Sequence, residues 1–153
     1  MSTRRIPKVR ADAIRRGYRS GLEDKISDRL KTIKCDAKYE CMKIEWEDLA
    51  YRTYTPDFLL PNGIIIETKG RFTPEDRRKH LLIKKQHPKL DIRFVFSNAN
   101  SRLRKGAKTT YASWCEKHGF QYASKDIPES WIKERKKKLP DMFVNVPFKK
   151  IVR

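Results

Sequence analysis

The chain has 153 residues, about the length of one domain, and carries 37 Lys plus Arg against 19 Asp plus Glu, a formal net charge of +18. That excess makes a polyanion the expected partner, no apolar run approaches the roughly 18 residues of a membrane span, and the charged opening Met1 to Arg5 is unlike a secretory signal. Cys35, Cys41 and Cys115 are odd in number and form no Cys-x-x-Cys pair, which predicts reduced, partly buried thiols instead of a disulfide framework or zinc finger.

The charge is concentrated at the ends. Residues 1–19 and 133–153 each carry a net +6, so the stretch between them is normally charged. The expected organisation is a basic, mobile N-terminal arm over 1–19, a folded domain over 20–134 and a basic tail over 135–153.

Ser20-Gly21-Leu22-Glu23 has the form of a capping box, and Leu22, Ile26, Leu30 and Ile33 fall on one helical stripe, predicting a helix. From Lys38 to Trp46 the pattern alternates, predicting a strand with a slip or bulge at Met42. Tyr54 to Leu60 and Ile64 to Lys69 flank Pro61-Asn62-Gly63, a hairpin signal. Thr73-Pro74 opens a helix to about Gln86, Asp91 to Ser97 reads as a strand, and Asn98 to Lys108 as a polar, basic loop. Tyr111, Trp114, Cys115 and His118 mark a helix stopped by Gly119. A strand over Phe120 to Ala123 and a helix from about Pro128 complete an αβββαβαβα order, a mixed α/β fold.

The hairpin places chemistry. Glu67 and Lys69 are two apart on one strand and leave the same face. If the turn is an odd-length loop centred on Asn62, Asp57 lies across from Glu67; a two-residue Asn62-Gly63 loop would break that relation. Two carboxylates so placed repel each other, and a hard divalent cation would offset them better than Lys69 alone. Pro56-Asp57, nine residues, then Glu67-Thr68-Lys69 thus has the form PD-(D/E)xK, in which a metal and a lysine activate water against a phosphodiester. The alternative is a hairpin face with ordinary surface charges. By spacing alone, Glu23 is the capping-box acid, His80 lies on a solvated basic helix face in preference to touching phosphate or carrying a proton, and His87 and His118 are capping or packing residues.

The strings Ser20 to Lys25, Tyr54 to Gly63, Glu67 to Gly70, Lys79 to Ile83, Trp114 to Gly119, Ile127-Pro128 and Trp131 to Glu134 closely resemble the endonuclease I family of bacteriophage T-seven and its relatives, the phage Holliday-junction resolvases. The resemblance runs in order over about three quarters of the chain. It implies a restriction-endonuclease-like mixed sheet flanked by helices, in an intertwined, segment-swapped homodimer bridged by the connection from about Ile44 to Tyr54. It also implies active sites built from both chains: Glu23 from one subunit, with Asp57, Glu67 and Lys69 from the other. Thr68 would give its backbone carbonyl to a metal, and Asp57 would be shared between two metal positions holding Mg²⁺ or Mn²⁺.

The expected activity is a metal-dependent endodeoxyribonuclease that cuts four-way and other branched DNA, leaving 5′-phosphate and 3′-hydroxyl ends, in the cytoplasm of an infected bacterial host. Candidate phosphate contacts are the N-terminal arm, Arg77, Arg78, Lys79, His80, Lys84, Lys85, Arg102, Arg104, Lys105 and Lys108, with Arg135 to Lys138 either a further contact or an extension. The rival readings are a non-catalytic architectural or RNA-binding protein, which needs the charge but not the carboxylates, and a sequence-specific restriction-type nuclease.

Overall fold

A computed structural model of the chain describes residues 8–47, 50–139 and 144–145. The first helix, α1 (Lys8–Arg15), packs against α2 (Gly21–Thr32). Ala13 and Tyr18 are buried, and Arg16 reaches Asp24 at 2.8 Å. The mobile arm expected over 1–19 is therefore a folded helix from Lys8 onward, because Ala13 and Tyr18 supply apolar surface that the charge count hides; residues 1–7 lie outside the described part.

The predicted strand over Lys38 to Trp46 is two strands, β1 (Lys38–Tyr39) and β2 (Met42–Glu47), and the break lies at Glu40 (φ 43°), not at Met42. Likewise, Tyr54 to Leu60 divides at Pro56 into the end of β3 (Tyr51–Tyr54) and β4 (Phe58–Leu59). Proline brings no ladder N–H, so a continuous strand through Pro56 loses a bond there. After β4 come β5 (Ile65–Lys69), α3 (Pro74–Gln86), β6 (Ile92–Phe96), α4 (Tyr111–His118), β7 (Tyr122–Ser124), α5 (Glu129–Ile132) and β8 (Val144–Asn145).

Five strands form a mixed sheet in the order β1-β4-β5-β6-β7, antiparallel across β1-β4-β5 and parallel across β5-β6-β7. A second sheet, β3-β2-β8, is antiparallel, so part of the expected C-terminal tail, Val144–Asn145, is paired to Met42 and Lys43. The rest of the tail beyond Leu139 lies outside the described residues.

Strand β5 is covered on both faces, as a central strand next to parallel neighbours should be. Ile64 and Ile66 join Ile26, Leu30, Phe58 and Val95 beneath α2, whereas Ile65 joins Ile44, Trp46, Tyr54, Ile83 and Ile92 beside α3. Each such isoleucine contributes about 1.5–3 kcal/mol by leaving water. An aromatic cluster of Phe72, Phe94, Phe96, Tyr111, Trp114 and Phe120 seats α4. Gly119 ends α4 in the left-handed conformation (φ 73°), as the stop signal predicts. Cys35 and Cys41 are half-buried free thiols, and Cys115 is buried, its thiol pushed up to about 12 by desolvation. No helix among the described residues is long and apolar enough to cross a membrane.

Candidate active site

Register creates the site. Phe58 pairs with Ile66 and Leu59 with Ile65, while Leu60 donates to the Ile64 carbonyl at 2.9 Å, so the turn is the odd-length loop centred on Asn62. Asp57 therefore falls opposite Glu67, the arrangement the sequence allowed but could not fix. Both carboxylates are buried, Asp57 with 2% and Glu67 with 3% of its surface exposed.

Each is held by its own donors. Oδ2 of Asp57 accepts the Thr68 backbone N–H and the Thr68 hydroxyl, both at 2.8 Å, and Oδ1 accepts Arg19 Nη2 at 3.0 Å. Glu67 accepts the Tyr54 hydroxyl on Oε2 at 2.6 Å, and Lys69 Nζ lies 3.1 Å from its Oε1, the same-face pair predicted from the i, i+2 spacing. Lys69 Nζ is also 3.1 Å from Asp76 Oδ1. Asp76 completes a capping box with Thr73 at the start of α3, so the helix start and the lysine position are set by one side chain.

Glu23 combines both sequence readings. Its N–H donates to Ser20 Oγ at 3.1 Å, which is the helix cap, but its Oε2 accepts the Arg19 N–H at 3.1 Å and the Tyr39 hydroxyl. The reciprocal half of the box is thus displaced by one residue, and the buried carboxylate (6% exposed) contributes to the field at Asp57. All of this occurs within one chain, whereas the resemblance implies that Glu23 reaches the site from a second subunit.

The electrostatics separate the two hairpin acids. Burial, then the charges of Glu67 and Glu23, push Asp57 up to about 8 against the bonds from Thr68. For Glu67 burial acts in the same direction, but Lys69 first, then His80, the Tyr54 hydroxyl and Lys79 together outweigh it and leave the group below its ordinary value. Lys69 is likewise disfavoured as a cation by burial, yet Glu67 and Asp76 raise it above its usual range. The result is an ionised Glu67-Lys69 pair beside an Asp57 carboxylate whose negative charge is disfavoured by burial and by its acidic neighbours.

A hard divalent cation with oxygen ligands relieves that unfavourable negative charge. Among the described residues no three His, Cys, Asp or Glu side chains gather closely enough to cage an ion by themselves. Mg²⁺ does not need such a cage, since one or two carboxylates with water and phosphate oxygens suffice. The donors here, Asp57 Oδ1 and Glu67, are of that kind.

His80, grouped by sequence with the phosphate contacts, is corrected by the structure. It lies on the inner face of α3 with 0% exposure, edge-on to the Tyr54 and Phe94 rings at 5.2 and 4.8 Å, and cannot touch DNA in this state. Burial lowers it to about 4, so it is neutral, and its Nε2 is 3.9 Å from Glu67 Oε1. Lys79, half-buried, lies over the Tyr54 ring at 5.0 Å. Lys84 donates to the Gly119 carbonyl at 2.9 Å and covers Phe120, closing α4. Arg77 donates to the Phe72 carbonyl at 2.6 Å. Arg78, Lys85, Arg102, Arg104, Lys105 and Lys108 are exposed. Arg102, Arg104 and Lys105 join Arg71, Phe72 and Tyr111 around a cleft of about 490 Å³ beyond the end of β5.

Several residues of the site escaped the sequence. Arg19 looked like one more charge of the arm, Tyr54 like a strand residue, and Glu40 carried no motif. Asp76 alone had a signal, standing three residues after Thr73 as a capping-box acid does.

Comparison with known proteins agrees with the resemblance. A family model described as phage endonuclease I matches residues 5–150. The chain is 53% identical over 124 residues to Endonuclease I of Escherichia phage T7, covering 80% of this chain and 83% of that protein. It is also 53% identical over 126 residues to Endodeoxyribonuclease 1 of Enterobacteria phage T3, covering 82% and 83% respectively. The chain belongs to the phage endonuclease I family.

Proposed function

We propose that this phage endonuclease is a divalent-metal-dependent, structure-selective endodeoxyribonuclease that resolves four-way and other branched DNA in the infected cell. The observation that carries the reading is the buried Asp57-Glu67 pair with Lys69 Nζ 3.1 Å from Glu67, in a chain of net charge +18. Asp57, Glu67 and the Thr68 carbonyl would hold Mg²⁺ or Mn²⁺, with Glu23 completing a second position. When bound, the metal supplies a water of lowered pKa and charge stabilisation at the phosphate.

The side chains do the remainder. Thr68 fixes the Asp57 carboxylate through Oδ2, leaving Oδ1 toward the ligand side. Tyr54 fixes Glu67 through Oε2. Lys69, kept protonated by Glu67 and Asp76, is a point charge for the attacking oxygen or the developing negative phosphate. The exposed cations around the cleft beyond β5 track the backbone, and their spatial arrangement instead of base contacts selects the branch. A homodimer would place two such sites for cuts in two strands. In that assembly α2, which carries Glu23, would meet the partner's hairpin in the way it meets its own here, as segment exchange reuses an intramolecular contact.

The test is cleavage of an immobile four-way junction and a matched linear duplex with Mg²⁺ and with EDTA. Paired cuts near the branch only with metal are expected. Tight junction binding without cutting in either condition would overturn the enzyme reading in favour of an architectural protein, and cuts that follow base sequence on the linear duplex would favour a restriction-type enzyme.

A further inference from the structure

Asp57 has two carboxylate oxygens with different neighbours. Oδ2 is filled by the two Thr68 donors, so Oδ1 is the oxygen left for a metal, and Oδ1 is where Arg19 Nη2 sits, at 3.0 Å. The same guanidinium places Nε 2.8 Å from Glu40 Oε1, and the Arg19 backbone N–H holds Glu23 Oε2 at 3.1 Å. One residue thus touches three carboxylates at the site.

Its partners are built in, whereas its own side chain is open. The Asp57 and Glu40 side chains are 3% and 10% exposed, against 63% for Arg19. Glu40 occupies the left-handed backbone region (φ 43°), a conformation that costs a non-glycine residue on the order of 1 kcal/mol, and its N–H is tied to the Asp57 carbonyl at 3.0 Å. That strained corner ends β1 and presents Glu40 as a second anchor for the guanidinium. Arginine is charged at every working pH and its planar fork spans two carboxylates at once, which lysine cannot do.

We propose that Arg19 is an internal counter-cation that occupies the metal-facing oxygen of Asp57 in the metal-free enzyme and must be displaced, swinging outward about its exposed side chain, for a divalent ion to bind. This rests on the metal reading above. Arg19 stabilises the carboxylate cluster before metal arrives and raises the metal concentration at which the enzyme is loaded. Because Arg19 and Glu23 lie on one segment, the gate moves with α2 whichever subunit supplies it.

The experiment measures Mn²⁺ binding by titration calorimetry to wild-type protein, Arg19→Gln, Arg19→Lys and Asp57→Asn, without DNA. Taking the guanidinium off Asp57 Oδ1 should tighten Mn²⁺ binding by about fivefold to tenfold in Arg19→Gln, with a smaller gain in Arg19→Lys, and should lower the melting temperature of the metal-free protein. Binding in Arg19→Gln equal to or weaker than wild type overturns the gate. Nitrogen-15 NMR of the wild-type Arg19 side chain gives the same answer without a variant: its resonances should shift on saturation with Mg²⁺, and their persistence unchanged overturns the proposal. Loss of binding in Asp57→Asn supports the location of the ion; unchanged binding there overturns the metal reading itself, a different failure from that of the gate.

Discussion

Thr68 clamps Asp57 by two donors on a single oxygen, its backbone N–H and its hydroxyl each lying 2.8 Å from Oδ2. Because Thr68 is on β5 and Asp57 precedes β4, the clamp ties the two arms of the hairpin where their acidic residues meet. Thr68→Val keeps the shape, the β-branched strand preference and the backbone donor, and removes only the hydroxyl. We expect about 1–2 kcal/mol lower stability in urea unfolding, and a severalfold higher metal concentration for half-maximal cleavage. Unchanged metal dependence would mean that the backbone donor alone orients Asp57.

Tyr54 is a positioning residue for Glu67. Its hydroxyl donates to Oε2 at 2.6 Å, while its ring is held edge-on to His80 and beneath Lys79. Tyr54→Phe preserves the ring contacts and frees the carboxylate to rotate. The expected result is a kcat on four-way junctions lower by about tenfold, equivalent to about 1.4 kcal/mol of barrier, with KM changed less than twofold. A parallel rise in KM would point to loss of substrate binding instead.

The pH dependence of the metal-free protein follows from two groups of opposite sign. Burial and its acidic neighbours push Asp57 up to about 8 in the folded state from an ordinary 3.8, so its contribution to stability is greatest below pH 3.8 and is lost as pH rises toward 8. His80, at about 4 when folded and 6.5 ordinarily, contributes stability above pH 6.5 and loses it as pH falls toward 4. Their slopes oppose each other below pH 6.5, which leaves pH 6.5–8 as the window in which Asp57 acts alone of the two. Thermal melting in EDTA should show stability falling across that window, and Asp57→Asn should remove this part of the slope. On the proposed metal reading, saturating Mg²⁺ should reverse it, since the ion would bind the ionised carboxylate.

Much of this was legible in the sequence, for identifiable reasons. The capping residues of α2 and α3, the glycine stop of α4 and the hairpin are local chemistry, and local chemistry is written in adjacent residues. The same-face relation of Glu67 and Lys69 follows from the two-residue period of a strand. What was hidden depended on distant packing. Nothing near His80 in sequence says that the inner face of α3 lies on Tyr54 and Phe94. Nothing near Arg19 says that the start of α2 lies over Asp57, or near Arg93 that a guanidinium 1% exposed within β6 will be held by Asp91 and Glu134. Glu40 had no signature because its role comes from a backbone conformation.

The basic side chains divide into those that bind the protein and those free to meet phosphate, and salt titration separates them. Arg104 and Lys105 lie exposed at the cleft beyond β5, whereas Lys84 is committed to the Gly119 carbonyl. Arg104→Ala and Lys105→Ala should each reduce the slope of log binding constant against log salt by about 1 on junction DNA. Lys84→Ala should leave the slope unchanged and instead lower thermal stability slightly. An unchanged slope in both loop variants would remove the cleft from the DNA path.

Asn62 links the hairpin to the C-terminal part of the domain, and its removal tests how far the site depends on that link. Its side-chain amide donates to the carbonyls of Trp131 at 2.7 Å and Glu134 at 3.3 Å, and its oxygen accepts the Ile64 N–H at 3.2 Å. Its backbone carbonyl takes the Lys137 N–H at 2.8 Å, and a Cβ at neighbouring Gly63 would stand 2.7 Å from the Lys137 carbonyl oxygen. Asn62→Ala strands buried polar groups on both sides of this contact, costing about 2–3 kcal/mol. The register that opposes Asp57 to Glu67 has separate support from the bonded pairs of β4 and β5 and from the Leu60-Ile64 bond. Cleavage per folded molecule at low temperature should therefore match wild type while the melting temperature falls by several degrees. Loss of metal binding at a temperature where the variant is still folded would instead make the turn, and not the strand pairing, the element that sets the carboxylates opposite each other.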